Sequence, residues 1–110
     1  MIMQETLKLI REVILNTAKK YGIEIDRIIL FGSRARGDYR ENSDWDILIV
    51  TKKKLDWKKR NEFYADISWE LVNKNIAPEI IIVDKETFEK HKHLAGFVYY
   101  WAEKEGVLVV

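Results

Sequence analysis

The sequence predicts a small α/β domain, and three observations carry that expectation. Two long stretches, 4–20 and 56–75, repeat apolar residues every three or four positions, as one face of a helix does. Three short runs, "DRIILF" (26–31), "DWDILIV" (44–50) and "EIIIV" (79–83), are rich in β-branched residues and end at polar or turn residues. Helical and strand patterns alternate along the chain, the order that layers helices on a sheet. At 110 residues there is material for one core and not for two, so 1–110 is read as a single domain.

Taken in order, the first helix is marked by Leu7, Ile10, Val13, Ile14 and Thr17/Ala18 and stops at Gly22. Strand 26–31 halts at Gly32-Ser33, and residues 34–43 read as a polar loop that begins with a short helix. Strand 44–50 is almost continuously apolar after Asp46, which suits a central strand covered on both faces. Asp56 is a natural N-cap for the second long helix, whose broad face carries Trp57, Phe63, Tyr64, Ile67 and Leu71. Pro78 ends that region and "EIIIV" follows as an interior strand. Asp84 then caps a helix through "KETFEKHKHL"; Gly96 divides the pattern, which resumes at Leu94, Phe97, Val98 and Trp101 until Gly106. "VLVV" closes the chain as a last short strand.

Composition narrows the function. Hydrophobic residues make up 47% and charged residues 34%, a globular profile, and no apolar run approaches the roughly 18 residues of a membrane helix. The opening "MIMQETLKLIREVI" is too polar for a signal peptide, so a cytoplasmic setting with no membrane is expected. Cysteine is absent, which removes disulfides and thiolate zinc sites. A net charge of +1 gives no large positive field for gripping duplex nucleic acid.

The chemistry concentrates in residues 31–50. Side chains two apart on a strand share a face, so Asp44 and Asp46 project together while Trp45 packs the other way. Two parallel carboxylates at the mouth of a buried strand repel each other unless a cation lies between them. Magnesium suits them, since it takes oxygen ligands and leaves positions for phosphate oxygens. A pair of such ions about 4 Å apart is within reach of paired carboxylates. Upstream, the strand ends in a Gly-Ser turn that directs backbone N–H groups toward an anion. Gly32 permits close approach, Ser33 offers a hydroxyl, and Arg34 and Arg36 supply compensating charge. Phosphate cradle and metal carboxylates on adjacent strands make a nucleoside-triphosphate site. Competing motifs fail on the same letters: Asp38 and Tyr39 stand where a P-loop needs Lys and Ser/Thr, Leu48 and Ile49 break an EF-hand, and no GxGxxG occurs.

"GSRARGDYRENSDWDILIV" resembles the Gly-Ser…Asp-x-Asp signature of the polymerase β-type nucleotidyltransferase superfamily. The short length and the "GSRARG" spelling resemble its MNT branch, the minimal nucleotidyltransferases. The resemblance implies a small mixed sheet flanked by helices and a third acid on the next strand, where this sequence has Glu79. It implies that Gly32 and Ser33 bind the triphosphate, that Asp44, Asp46 and Glu79 hold two Mg²⁺, and that Glu79 helps deprotonate an attacking hydroxyl. The reaction implied is transfer of AMP from ATP, with release of pyrophosphate, to a tyrosine of a HEPN-domain partner that the chain silences as antitoxin. Two departures stand out: Glu replaces the Asp of the third position, with Asp84 as its rival, and Trp45 is bulky for the residue between the aspartates. An alternative from another class is a binding module that keeps the fold and neutralises its partner by docking. A sugar transferase using Asp-x-Asp fits less well, since the chain has no room for a sugar-acceptor half.

Elsewhere the expectations are plainer. His91 and His93 lie two apart on a helix and face different ways, so no shared ion is expected. Lys52–Lys54 with Lys58, Lys59 and Arg60 read as a solvated face, contact with RNA or a partner being the less favoured use. Trp57, Tyr64, Trp69 and "FVYYW" (97–101) are too many large rings for one small core, so some lie at the surface, Tyr99 or Tyr100 being candidates for an interface.

Overall fold

In the computed structural model, which describes residues 3–110, the expected alternation is realised around one four-stranded mixed sheet. Helix α1 (Met3–Tyr21) buries Ile10, Val13, Ile14, Thr17 and Ala18 as its spacing predicts, with Thr6 also buried and Leu7 only partly so. It stops at Gly22, whose φ of 68° lies in the left-handed region that glycine enters without a side-chain penalty. Strand β1 (Ile25–Phe31) leads directly into a five-residue helix α2 (Gly32–Arg36). Strand β2 (Trp45–Thr51) starts one residue later than the sequence suggests, leaving Asp44 in the loop before it. Helix α3 (Trp57–Asn73) is capped by the Asp56 side chain, which accepts from the Lys59 N–H at 2.8 Å. Strand β3 (Pro78–Asp84) follows, and helix α4 (Lys85–His91) is capped by Asp84.

The helix expected to run through Leu94 ends three residues earlier. Leu94 is half exposed in the turns of 92–97, and a separate α5 (Val98–Glu105) begins beyond Gly96. Apolar spacing alone does not separate a helix from the turns that follow it. Strand β4 (Val107–Leu108) closes the sheet.

The strand order is β3-β2-β1-β4. Strands β1 and β2 pair antiparallel, as do β1 and β4; β2 and β3 pair parallel, with α3 as the crossover. Central β2 is therefore covered twice, which explains its continuous apolar run. One face sets Ile28, Leu30, Trp45, Ile47, Ile49, Ile80 and Ile82 against α1 and α3, with Phe63, Ile67 and Leu71 fully buried. The other sets Ile29, Leu48, Val50 and Val83 against Phe88 of α4 and Ala102 of α5. There Arg27 lies 5.2 Å from the Phe88 ring and pairs with Glu89 of α4 and Glu103 of α5, at 3.3 and 3.8 Å. Those contacts hold the two short helices to β1. No helix among the described residues is long and apolar enough to cross a membrane.

Candidate functional site

Asp46 is the second residue of β2 and lies on the sheet face that also carries Leu48 and Val50. Its ladder partners are Phe31, the last residue of β1, and Glu79, the second residue of β3. Parallel in-register pairing of β2 and β3 thus brings an acid from each strand to one face at one end of the sheet. This juxtaposition is a tertiary fact; nothing in either strand alone encodes it.

The turn after β1 meets Asp46 from the other side. Gly32 has φ of 72°, and a Cβ built there would fall 1.9 Å from Asp46 Oδ2. A side chain at 32 and the Asp46 carboxylate cannot occupy the same space, so glycine is required by both dihedral and contact. Helix α2 then runs to Gly37, whose N–H donates to the Ser33 carbonyl at 2.9 Å. The Ser33 hydroxyl has no protein partner among the described residues.

Charge at this end is crowded. Burial, a hydrogen bond with Glu79, and the negative charges of Glu79 and Asp44 together raise Asp46 to about 6, and only Arg36 works against them. Asp44 is exposed and acts on Asp46 through its charge. The donors are hard oxygens, the chemistry that Mg²⁺ takes, and crowding that raises a carboxylate is what a cation relieves. Among the described residues Asp44, Asp46 and Glu79 do not converge into a ready-made cage; Asp46 and Glu79 form the close pair.

The remaining expected site residues divide. Arg36 is exposed, donates from Nε to Asp38 at 3.3 Å, and lies close enough to Asp46 to lower its pKa. Arg34 is turned into the loop instead. Its guanidinium donates to the Ser43 carbonyl at 2.9 and 3.2 Å and to the Glu41 carbonyl at 3.1 Å. It also lies 4.2 Å from the Trp45 ring and 4.7 Å from that of Tyr39. Bulky Trp45 thus packs away from Asp46, as its place between two aspartates predicts, and gives Arg34 a surface to stack on. Arg34 braces the loop that delivers Asp44, a duty the sequence reading missed because its partners are backbone carbonyls. Asp84, the rival third acid, stands at the far end of β3 and accepts from the Thr87 N–H and hydroxyl at 2.9 and 2.8 Å. Burial works against its ionisation, but those bonds and the Lys54 charge hold it below the usual carboxylate range.

A mixed sheet that sets a glycine-serine turn against acids from two adjoining strands defines the class: it is the layout of a nucleotidyl-transfer protein. Residues 12–98 match the family described as "Polymerase beta, Nucleotidyltransferase", and the chain belongs to that family. It is 39% identical over 84 residues to "Putative protein adenylyltransferase MJ0604" of Methanocaldococcus jannaschii, covering 76% of this chain and 78% of that protein. Among solved structures it is similar to a "putative nucleotidyltransferase from Sulfolobus solfataricus", with TM-score 0.60 and 27% identity over 94% of this chain and 78% of the other. It also shares its fold with a chain from the complex of a tri-AMPylated Shewanella oneidensis HEPN toxin and its MNT antitoxin. That likeness has TM-score 0.58 at 17% identity and covers 99% of this chain and 72% of the other.

Proposed function

We propose that the chain transfers AMP from ATP to a hydroxyl of a macromolecule, a tyrosine of a HEPN-type partner, and silences that partner as its antitoxin. One observation carries the reading: Asp46, paired with Glu79 across β2 and β3, crowds against the Gly32 turn. The adenylyltransferase name of the Methanocaldococcus relative and the AMPylated toxin in the Shewanella complex support the choice of nucleotide and acceptor.

In this reading the backbone of Gly32 and the Ser33 hydroxyl hold the triphosphate, and Arg36 adds charge beside it. Arg34 keeps the 37–44 loop in place; to reach a phosphate it must release the carbonyls of Ser43 and Glu41. Asp44, Asp46 and Glu79 would hold two Mg²⁺, which when bound would supply charge neutralisation at the phosphates and acidify the acceptor hydroxyl. The acceptor oxygen forms a bond to the α-phosphorus as the bond to pyrophosphate breaks, and Glu79 takes the hydroxyl proton. The protein makes no covalent bond itself; positioning and charge supply the acceleration.

The test is to incubate the chain with ATP, Mg²⁺ and the protein encoded by the adjacent reading frame, then weigh both chains intact. An AMP-sized increment on the neighbour, abolished by tyrosine-to-phenylalanine substitution there, is the expected result. A tight complex without any increment assigns the chain to neutralisation by docking and overturns the transfer reading.

A further inference from the structure

At the opposite end of β2 from Asp46 the chain reads "KKKLDWKKR", six cations and one acid in the nine residues 52–60. Since the whole chain is only +1, the charge is strongly local. Lys52, Lys53 and Lys54 form the turn after β2, and Lys58, Lys59 and Arg60 occupy the first turns of α3. Acids lie close by, Glu24 and Asp56 beside Lys53, Lys54 and Lys59 and Asp84 and Glu86 beside Lys52–Lys54, but the cations outnumber them. Asp56 and Asp84 cap α3 and α4, and Glu24 pairs with Lys52 at 3.8 Å. Among the described residues, Lys53, Lys54, Lys58 and Lys59 have no ion pair closer than 4 Å, although Lys54 lowers the pKa of Asp84 by its charge. Their positive field is left to solvent.

An aromatic cleft adjoins these cations. Trp57 is 78% exposed, though a ring of that size is usually covered. It lines a cavity of about 450 Å³ that has Leu55 and Val83 for apolar walls, Tyr99 as a second ring, Lys54 and Arg60 at its margin, and one acid, Asp84, whose carboxylate is engaged by Thr87. Flat apolar surface for a base beside unpaired ammonium groups for phosphates is the construction that takes up unstacked nucleic acid. An exposed indole also suits a protein interface, so the lysines and Trp57 alone do not choose the partner; what favours a nucleic-acid strand is the slot between the Trp57 and Tyr99 rings with cations at its margin.

We propose that the 52–60 segment and the Trp57–Tyr99 cleft bind a single-stranded nucleic-acid segment, with a base against Trp57 and phosphates on Lys53, Lys54, Lys58 and Lys59. This goes beyond nucleotidyl transfer and does not depend on it, because the acid pair lies at the other end of the sheet.

The experiment is fluorescence anisotropy of labelled 12-nucleotide single strands, RNA and DNA in separate arms, titrated with the full chain at several salt concentrations. Binding that falls with salt at a log–log slope of about −3 is expected, and the joint variant Lys53→Ala/Lys54→Ala lowers the slope's magnitude by about 1.4. Trp57→Ala weakens binding by about tenfold, while Trp69→Ala, at an indole 71% exposed on the same helix, leaves it unchanged. The better-binding arm identifies the strand chemistry. Asp46→Asn binds as the unsubstituted chain does, which separates this outcome from failure of the transfer reading. The proposal is overturned by absence of binding at about 50 mM salt, or by equal effects of the two tryptophan variants, the mark of plain polyanion adsorption. It is equally overturned if a poly-glutamate peptide displaces the strand as readily as unlabelled oligonucleotide, which assigns the patch to an acidic protein, or if Asp46→Asn abolishes binding.

Discussion

The two faces of the sheet share the same strands and are covered very differently. On one, Trp45, Ile47 and Ile49 of β2 lie beneath α1 and α3, helices of 19 and 17 residues. At 1.5 Å per residue these span about 25–28 Å, more than the roughly 23 Å of a seven-residue strand. On the other, α4 and α5 have seven and eight residues, about 10–12 Å each, and protect only Leu48, Val50 and their neighbours. The uncovered end of that second face is where Asp46 and Glu79 sit. A carboxylate there is desolvated enough to be perturbed and open enough to meet a ligand. Short helices on one side are thus part of the site's construction, and long ones opposite supply the stability that lets it stay open.

Substitutions on the two sides should separate activity from stability. The largest effect is expected from Asp46→Asn. AMP transfer, followed as the rate of mass increment, should fall at least about a thousandfold, about 4 kcal/mol in barrier, with no drop in melting temperature. Full activity in that variant would remove Asp46 from the chemistry. On the covered face, Phe63→Ala deletes a fully buried ring that packs edge-on against Tyr21 at 6.4 Å. It should cost about 3 kcal/mol in a urea titration and leave the transfer rate of the folded fraction unchanged. Gly32→Ala comes next, at about 2 kcal/mol, because left-handed strain and collision with the Asp46 carboxylate add together. Gly37→Ala is the control: its φ is 88° but nothing lies within 4 Å of the added Cβ, so strain alone, about 1 kcal/mol, is expected. Equal losses at the two glycines would mean that contact with Asp46 carries no weight.

What the sequence disclosed follows the same division. Local signals were legible: α1 from its apolar stripe, the Asp56 and Asp84 caps, and β2 from a continuous run that only a doubly covered strand needs. Asp44, Asp46 and the Gly32-Ser33 turn could be singled out because their residue types are costly at a strand's mouth. Glu79 was reachable only through the family resemblance, since cross-strand register is set by packing of whole elements. The Arg34 brace escaped notice because Glu41 and Ser43 receive it through carbonyls, which every residue has. The end of α4 at His91 was also hidden, as Leu94 and Phe97 continue the apolar spacing although both are exposed.

The smallest expected effect tests the comparison most directly, because it reads the crowding itself. Asp46 is raised from 3.8 to about 6 in the folded chain, by burial first and then by Glu79 and Asp44. Between those values the folded state holds a proton that the unfolded state has released, so stability falls as pH rises through the window. Its stabilising contribution is complete below the lower value and lost above the upper one. Part of the side chain faces solvent, so the change is discounted to about 1 kcal/mol. Urea titrations of the metal-free chain from pH 3.5 to 7 should show this decline, and Asp46→Asn should remove it. Asp84, held low, contributes in the opposite sense: its stabilisation is present above the ordinary carboxylate value and lost as pH falls below it, so it survives in the variant. Added Mg²⁺ should recover stability above pH 6, where the acids are ionised, and have no effect at pH 3.5, where protons have already neutralised them. If the unsubstituted chain and Asp46→Asn decline in parallel, the open end of the sheet is no more strained than the covered face, and crowded carboxylates do not explain it.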